Sequence, residues 1–467
     1  MNPNQLQKIP SPLKIPFLGH LPYVLSRDPF GRMLQLGERY GDLFNLQLLN
    51  DSVVITSDPD VVRELFDETR FRKRVAGILE SIRPIAGDGL ITAEDHEDNW
   101  GRAHRILKPG FGRKAMSDYL PVMIQQTRKL IAWWRSKPEK LIDANQDFTR
   151  LTLEIIGLCG FNYSFLSFEQ EEPHSFMLTI DSILAEATIS HQLPAWANKL
   201  RPGGVRRLRD NIADTNKVFD KIINDHKTTQ QQDKSSFLSL MLDASDPKDG
   251  SKLSLSNIRY QLITFLIAGH ETTRSLLSFT VYYLTKHPKV LQRAQRLVDE
   301  VMGESDRDLT FQDLSRLYYL QQILYETLRL WPTAPGFMVS PRETTSIRSR
   351  YKTSPDDIFF IFLSALHRHP KAWGKDADIF NPERFSAEQV RSRPSHVYRP
   401  FGNGKRSCIG QHFAMAEAQI ALAYILYHFD LEGIASYNFA VEHSLTIKPK
   451  DFFFKVYPRD EAARHRM

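Results

Sequence analysis

Cysteine is almost absent: Cys159 and Cys408 are the only two in 467 residues. So few rule out a disulfide framework, and they give too little sulfur for a zinc site or an iron–sulfur cluster built on cysteines. Also missing is any run of roughly 18 or more consecutive apolar residues, so no membrane span is expected. The opening MNPNQLQKIPSPLKIPFLGHLPYVL has no charged head followed by a continuous apolar stretch, and does not read as a signal peptide. Charge of one sign is not in large excess, with 61 Lys and Arg against 55 Asp and Glu. The basic residues form no long stripe and accompany no reader motif, which argues against nucleic acid. A local basic patch that docks an acidic protein agrees with the same surplus. Internal repeats and Pro/Gly/Ser linkers are missing too. The expectation is one soluble, cytoplasmic domain over residues 1–467.

What is present is core material, 42% hydrophobic and 11% aromatic. Residues 41–57 and 335–364 hold β-prone runs such as DSVVITS and IFFIFLS, which predict a small β-region. Residues 58–330 are apolar at three- and four-residue spacing, so the chain is mainly α. The proline-punctuated start reads as an irregular arm, residues 200–209 as a basic loop entering a helix, and the polar 226–236 as a surface loop. The longest helix runs from Asn257 to His287 and stops at Pro288, about 45 Å at 1.5 Å per residue. Its middle, LITFLIAGHETTRSLLSF, is apolar nearly all round apart from one polar knot, the mark of a buried helix. A second helix ends before Pro332, and a last one follows Cys408.

The two cysteines sit in different chemistry. Cys159 lies in LTLEIIGLCGF, where a thiol acts as a small hydrophobe. Cys408 lies in FGNGKRSCIG, beside Lys405 and Arg406 and before a helix, all of which favour a thiolate. Gly402, Gly404 and Gly410 allow tight turns and close approach to a flat ligand. One thiolate suits haem iron, where it pushes electron density toward the metal. Phe401, Gly402, Gly404, Arg406, Cys408 and Gly410 resemble the haem-binding loop of the cytochrome P-450 superfamily. That resemblance implies Cys408 as the metal ligand of haem b (iron protoporphyrin IX), Arg406 at a propionate, and Phe401 packed beside the sulfur.

The polar knot Ala268-Gly269-His270-Glu271-Thr272-Thr273 puts an acid–alcohol pair on a buried helix, where unpaired polar groups are costly. A back-bond to the preceding turn would explain Thr272 but not Glu271. The segment resembles the same family's oxygen-activation segment, which implies that Thr272 stabilises dioxygen at the iron while Glu271 relays protons. His270 reads as structural. Glu326 and Arg329, at i and i+3, resemble with Arg384 the family's structural Glu–Arg–Arg network. Trp100 and His104 share a helix face where relatives have a Trp-x-x-x-Arg pair for the propionates, so the contact is expected from Trp100 ahead of His104. Arg102, Arg105, Lys108, Arg113 and Lys114 surround them, either a solvated face or a docking surface for an acidic electron donor.

The similarity extends over residues 28–455 to the haem domains of bacterial self-sufficient fatty-acid hydroxylases, in which the P-450 is fused to its reductase. It implies a cytochrome P-450 fold, with the long helix over the haem. The sequence ends at residue 467, so electrons are expected from a separate ferredoxin or flavodoxin with its reductase. At the positions of the carboxylate anchor stand Asp51 and Ile55, and an aspartate repels a carboxylate. The pocket carried over by resemblance is Leu79, Ile82, Ile91, Leu184, Ile267, Ala268, Ala334 and Leu445, an apolar lining for a hydrophobic substrate. The reading is a monooxygenase that uses dioxygen. Its rivals are a peroxide-driven peroxygenase, which typically lacks the acid–alcohol pair, and a non-catalytic haem sensor or carrier.

Overall fold

A computed structural model describes residues 8–16, 19–24, 28–48, 51–137, 140–171, 174–193, 198–228, 236–443 and 445–459. The chain divides into two compact units, each assembled from separate stretches. Unit 1 takes residues 1–74, 325–408 and 441–448; unit 2 takes 75–324, 409–440 and 449–467.

Unit 1 is organised by a five-stranded sheet in the order β1–β2–β8–β5–β3. Its strands are β1 (Leu43–Leu48), β2 (Asp51–Thr56), β3 (Phe71–Lys73), β5 (Gly336–Pro341) and β8 (Ile358–Phe362). β1 and β2 form an antiparallel hairpin from Leu43 opposite Thr56 to Leu48 opposite Asp51. β2 then runs parallel to β8. Val53, Val54 and Ile55 are all buried in succession, as a strand covered on both faces requires. The helix Pro59–Leu65 that follows is started by Asp58, whose carboxylate accepts the N–H groups of Asp60 and Val61 at 2.8 and 3.3 Å. It adds Val61, Val62 and Leu65 to a core with Phe71, Val339, Phe359 and Ile361. A hairpin of β6 (Thr345–Ile347) and β7 (Tyr351–Thr353) turns through Arg348 and Ser349, both at positive φ. The two regions read as β in the sequence hold β1, β2 and β5 to β8. β3 lies in a stretch read as helical; it forms because β5, about 270 residues later, pairs with it.

Unit 2 is mostly helical. Its principal helices are α1 (Asp98–Leu107), α2 (Arg113–Ser136), α3 (Ala144–Phe161), α4 (Ser175–Gln192), α5 (Pro202–Thr228), α6 (Leu255–Lys286), α7 (Pro288–Met302) and, after α8 (Tyr318–Leu330) has crossed from one unit to the other, α9 (Gln411–His428). α6 is the long helix expected between Asn257 and His287. Ser254 caps it by accepting the Asn257 N–H at 3.2 Å. Its polar side chains are absorbed by back-bonds: Ser275, Ser278 and Thr280 donate to the carbonyls four residues earlier. α6 packs on α3, and Gly269 permits the approach, since a Cβ there would lie 3.0 Å from Ile156. Cys159 of α3 is buried.

Three features differ from the sequence reading. The stretch 200–209 is helix from Pro202 onward, since proline fits the first turn. α5 continues to Thr228, and residues 229–235 of the expected surface loop lie outside the described residues. A further sheet, β4 (Leu141–Asp143), β12 (Phe453–Pro458) and β9 (Phe429–Gly433) in the order β4–β12–β9, has no counterpart in the sequence reading. A short pair of β10 (Val441–His443) and β11 (Ile447–Pro449) completes the strands. Of the proline-punctuated start, residues 8–16 and 19–24 are described; the remainder of residues 1–27 lies outside. Among the described residues no helix is long and apolar enough to cross a membrane.

Candidate functional site

In unit 1 the Cys408 loop is held by its own backbone. The Cys408 N–H donates to the Phe401 carbonyl at 2.8 Å, which closes a turn around Gly402 and Gly404, at φ +78° and +62°. Both glycines occupy backbone regions that side chains resist. At Gly404 a Cβ would meet the Glu68 carboxyl 2.3 Å away, and that carboxyl accepts the Lys405 N–H at 3.0 Å. Gly404, Lys405 and Arg406 form a single 3₁₀ turn, and the Cys408 side chain emerges exposed. Phe401, Gly402 and Arg406 are half-buried. The next helix starts at Gln411 and not directly after Cys408, because Ile409 and Gly410 continue the turn.

Behind this loop lies a buried ionic network. Arg329 grips Glu326 with two bonds of 2.6 and 2.8 Å, and both side chains are fully buried. The same guanidinium donates to the carbonyls of His367, Ala377 and Ile379, and stacks 4.9 Å from the Trp373 ring. Burial pushes the Glu326 carboxyl up, and Arg329 with the Asn381 N–H at 2.8 Å pulls it back. Arg384 stands at the rim, 3.8 Å from Glu326, with its stronger bonds to the Trp373 and Asp376 carbonyls. The sequence reading missed His367. Its Nε2 accepts the Arg399 N–H at 3.0 Å, and burial, with Arg329 adding to it, drives its pKa down to about 3. A neutral His367 thus ties the network to the coil segment that enters the Cys408 loop. Nothing in HRHP marks it, since only the distant Arg399 supplies the partner.

In unit 2 the polar knot occupies the middle of α6. Glu271 is buried and Thr272 half-buried. The Thr272 hydroxyl donates to the Ala268 carbonyl at 2.7 Å, the back-bond form. His270 is buried with Nδ1 2.6 Å from the Leu266 carbonyl, a structural setting. Thr152 of α3 donates to the His270 carbonyl at 3.1 Å.

The residues carried over as pocket lining divide between the units. In unit 2, Ile82 and Ile267 are fully buried, while Leu79, Ile91, Leu184 and Ala268 are half-buried. The Ile78–Ser81 turn with Leu79 packs on α4, which carries Leu184. Ile91 follows a loop pressed onto α6. Leu90 N–H donates to Gln261, and Asn257 and Asn99 donate to the two oxygens of Asp88, at 3.0, 2.8 and 2.6 Å. A Cβ on Gly87 or Gly89 would strike Tyr260 or Thr264 at 2.3 and 2.4 Å. This polar clasp was missed, though the glycines of AGDGL were a signal for close backbone approach. Ala334, exposed, and Leu445, half-buried, belong to unit 1. So do Asp51 and Ile55; Ile55 is 4% exposed, a core residue of β2.

On α1 the rings of Trp100 and His104 stack with centroids 5.1 Å apart. Of the basic residues around them, Arg105 is engaged by Asp246 through two bonds of 2.7 and 2.6 Å, and it pulls that carboxyl down to about 2. Arg102 donates to Ser251 and Asn99. These two serve the fold, which leaves the docking reading to Lys108, Arg113 and Lys114.

Among the described residues no group of three or more His, Cys, Asp or Glu could hold a metal ion. The exposed thiol of Cys408 is a single sulfur donor, which suits a metal that arrives with other donors of its own, as haem iron does. A family model described as Cytochrome P450 matches residues 9–456. The chain is 41% identical to a bifunctional cytochrome P450/NADPH–P450 reductase of Bacillus cereus, over 99% of the chain and 43% of the relative. A second such protein, of Bacillus subtilis, is 41% identical over 98% and 43%. A self-sufficient cytochrome P450 monooxygenase of Phanerodontia chrysosporium is 38% identical over 97% and 43%. The chain thus spans less than half the length of these relatives. Its resemblance in the Cys408 loop is part of a match along nearly the whole sequence: the chain belongs to the cytochrome P450 family, and its cofactor is that family's haem b.

Proposed function

We propose that the chain is a haem-thiolate monooxygenase that inserts one oxygen atom of dioxygen into a hydrophobic substrate. The observation that carries this reading is the acid–alcohol pair Glu271–Thr272, kept in the interior of α6 where an idle polar pair would be a cost. Haem, when bound, supplies the iron at which oxygen is reduced. Cys408 would ligate it, Phe401 and Gly402 shape the turn beside the sulfur, and the resemblance assigns propionate contacts to Arg406 and, on α1, to Trp100 ahead of His104. The Thr272 hydroxyl needs only a χ1 rotation to leave the Ala268 carbonyl and donate elsewhere, with Glu271 as the titratable member beside it. Glu326, Arg329 and Arg384 keep the loop's support rigid.

The residues that the resemblance carries over as substrate lining, Leu79, Ile82, Ile91, Leu184, Ile267, Ala268, Ala334 and Leu445, carry no charge. Neutral lipophilic compounds are therefore preferred over fatty acids. Electrons come from a redox protein such as a ferredoxin or flavodoxin with its reductase, docking on the Lys108, Arg113 and Lys114 face. The names of the relatives support reductase-driven turnover.

The test is Thr272→Ala assayed with a redox donor and, separately, with hydrogen peroxide alone. A monooxygenase loses product per electron severalfold and releases peroxide instead. Equal product from peroxide in both proteins, without any donor, would favour a peroxygenase. A variant indistinguishable from wild type in every assay would favour a haem carrier.

A further inference from the structure

The loop that carries Ile91 is anchored to α6 through a backbone atom, the Leu90 N–H, which donates to Gln261 Oε1 at 3.0 Å. Gln261 and Asn257 are buried, and the direction of their amides is set at the far end of a chain of bonds. The Asp88 carboxylate offers only acceptors, and Asn257 Nδ2 and Asn99 Nδ2 donate to its two oxygens at 2.8 and 2.6 Å. With Nδ2 so committed, Asn257 turns Oδ1 toward Gln261 and accepts its Nε2–H at 3.0 Å. Gln261 is left to present Oε1 to the loop, the atom that a backbone N–H needs. Asn99 is oriented by the same logic, since Arg102 donates to its Oδ1 at 2.7 Å. One carboxylate thus fixes the sense of two buried amides and, through them, the anchor of the loop.

Ile91 follows that anchor directly. On its other side the Thr92 hydroxyl donates to the Ala86 carbonyl at 3.2 Å, and Arg83 donates to the Thr92 carbonyl at 2.7 Å. A β-branched side chain has little freedom at χ1, so a backbone pinned on both sides gives Ile91 one place to stand. Apolar packing would keep the loop near α6, but a directional bond also fixes its height along the helix. We propose that Asp88, Asn257 and Gln261 are positioning residues that fix Ile91 in the wall of the substrate pocket, and so set which part of a hydrophobic substrate is presented for oxidation. The place of Ile91 in that wall rests on the function proposed above; the clasp itself does not.

Hydrogen exchange at Leu90 and ligand discrimination by the haem-loaded protein test the two halves. Asn257→Leu leaves the Gln261–Leu90 pair in place but frees the Gln261 amide to turn. It should speed exchange at Leu90 roughly tenfold, about the effect of one lost hydrogen bond, with α3 exchanging as in wild type; Gln261→Leu should do the same. The ratio of the dissociation constants of imidazole and 4-phenylimidazole, read from the haem spectrum, reports the pocket wall without turnover. Ile91→Ala, Gln261→Leu and Asn257→Leu should each move that ratio severalfold, and neither clasp variant should move it further once residue 91 is alanine. Unchanged exchange at Leu90 in Asn257→Leu would overturn the directed chain. A ratio that answers to Ile91→Ala but not to Gln261→Leu would overturn the positioning role and leave the pocket reading standing; a ratio indifferent to Ile91→Ala would overturn both. Should Gln261→Leu not load haem, Asp88→Asn, which hands the chain a donor from its half-buried end, gives the same decision.

Discussion

Glu326 in unit 1 and Glu417 in unit 2 are buried to the same depth and live in opposite circumstances. Glu326 has a bidentate guanidinium and a backbone N–H, and its partner Arg329 spends its remaining donors on three carbonyls. Glu417 has no hydrogen-bond partner among the described residues. A pair with every donor and acceptor engaged, as Glu326 and Arg329 are, is rigid and specifies one geometry, even though Arg384 Nε and His367 Nδ1 around it have no partner among the described residues. An acid left open costs stability, which a functional site can carry. The comparison separates scaffold from machinery: the first acid holds a loop in shape, the second stands beside Thr273, next to the residues proposed to handle oxygen.

The contrast breaks most visibly at Arg329. Arg329→Met leaves Glu326 buried without its cation, and should cost on the order of 3–5 kcal/mol in denaturant unfolding. Arg329→Met with Glu326→Leu together should cost less than Arg329→Met alone, because no charge is then stranded. Glu417→Leu should change stability little by comparison, since it strands no ion.

Acid sharpens the same contrast, because the network depends on a neutral His367. Burial depresses its pKa from the ordinary 6.5 to about 3, so its contribution to stability is present in full above 6.5 and is lost as pH falls toward 3. Unfolding midpoints followed from pH 7 down to pH 4 should decline, by as much as several kcal/mol in all. His367→Gln should flatten that decline over the same interval.

The smallest effect is expected at the loop itself. Gly404→Ala meets both a positive φ and the Glu68 carboxyl, and should cost about 1–2 kcal/mol. Adding Glu68→Ala should return only the steric part. A Gly404→Ala protein as stable as wild type would show that the turn is not set by its glycines.

Much of this was legible because it is local. The Cys408 loop, the AGHETT knot and the period of α6 are each written within a few turns of chain. So were the strands near 41–57 and 335–364, where β-branched and aromatic residues cluster. What escaped notice depends on distant partners. β4 is three residues long and exists because β12, more than 300 residues later, pairs with it. β3 likewise awaits β5. His367 looks like any histidine until the Arg399 N–H reaches it, and Glu417 looks like a surface acid in AMAEAQ until burial on all sides is known. The Asp88–Asn257–Gln261 clasp shows the same limit, since its glycines were visible but their partners on α6 were not.

Thiolate ligation is the claim on which the rest depends, and the carbon monoxide spectrum of the reduced protein measures it most directly. Wild type should show the red-shifted thiolate band, and Cys408→His should lose it while still retaining haem. A Cys408→His protein with the same thiolate band, or a wild type that binds no haem at all, would contradict the account.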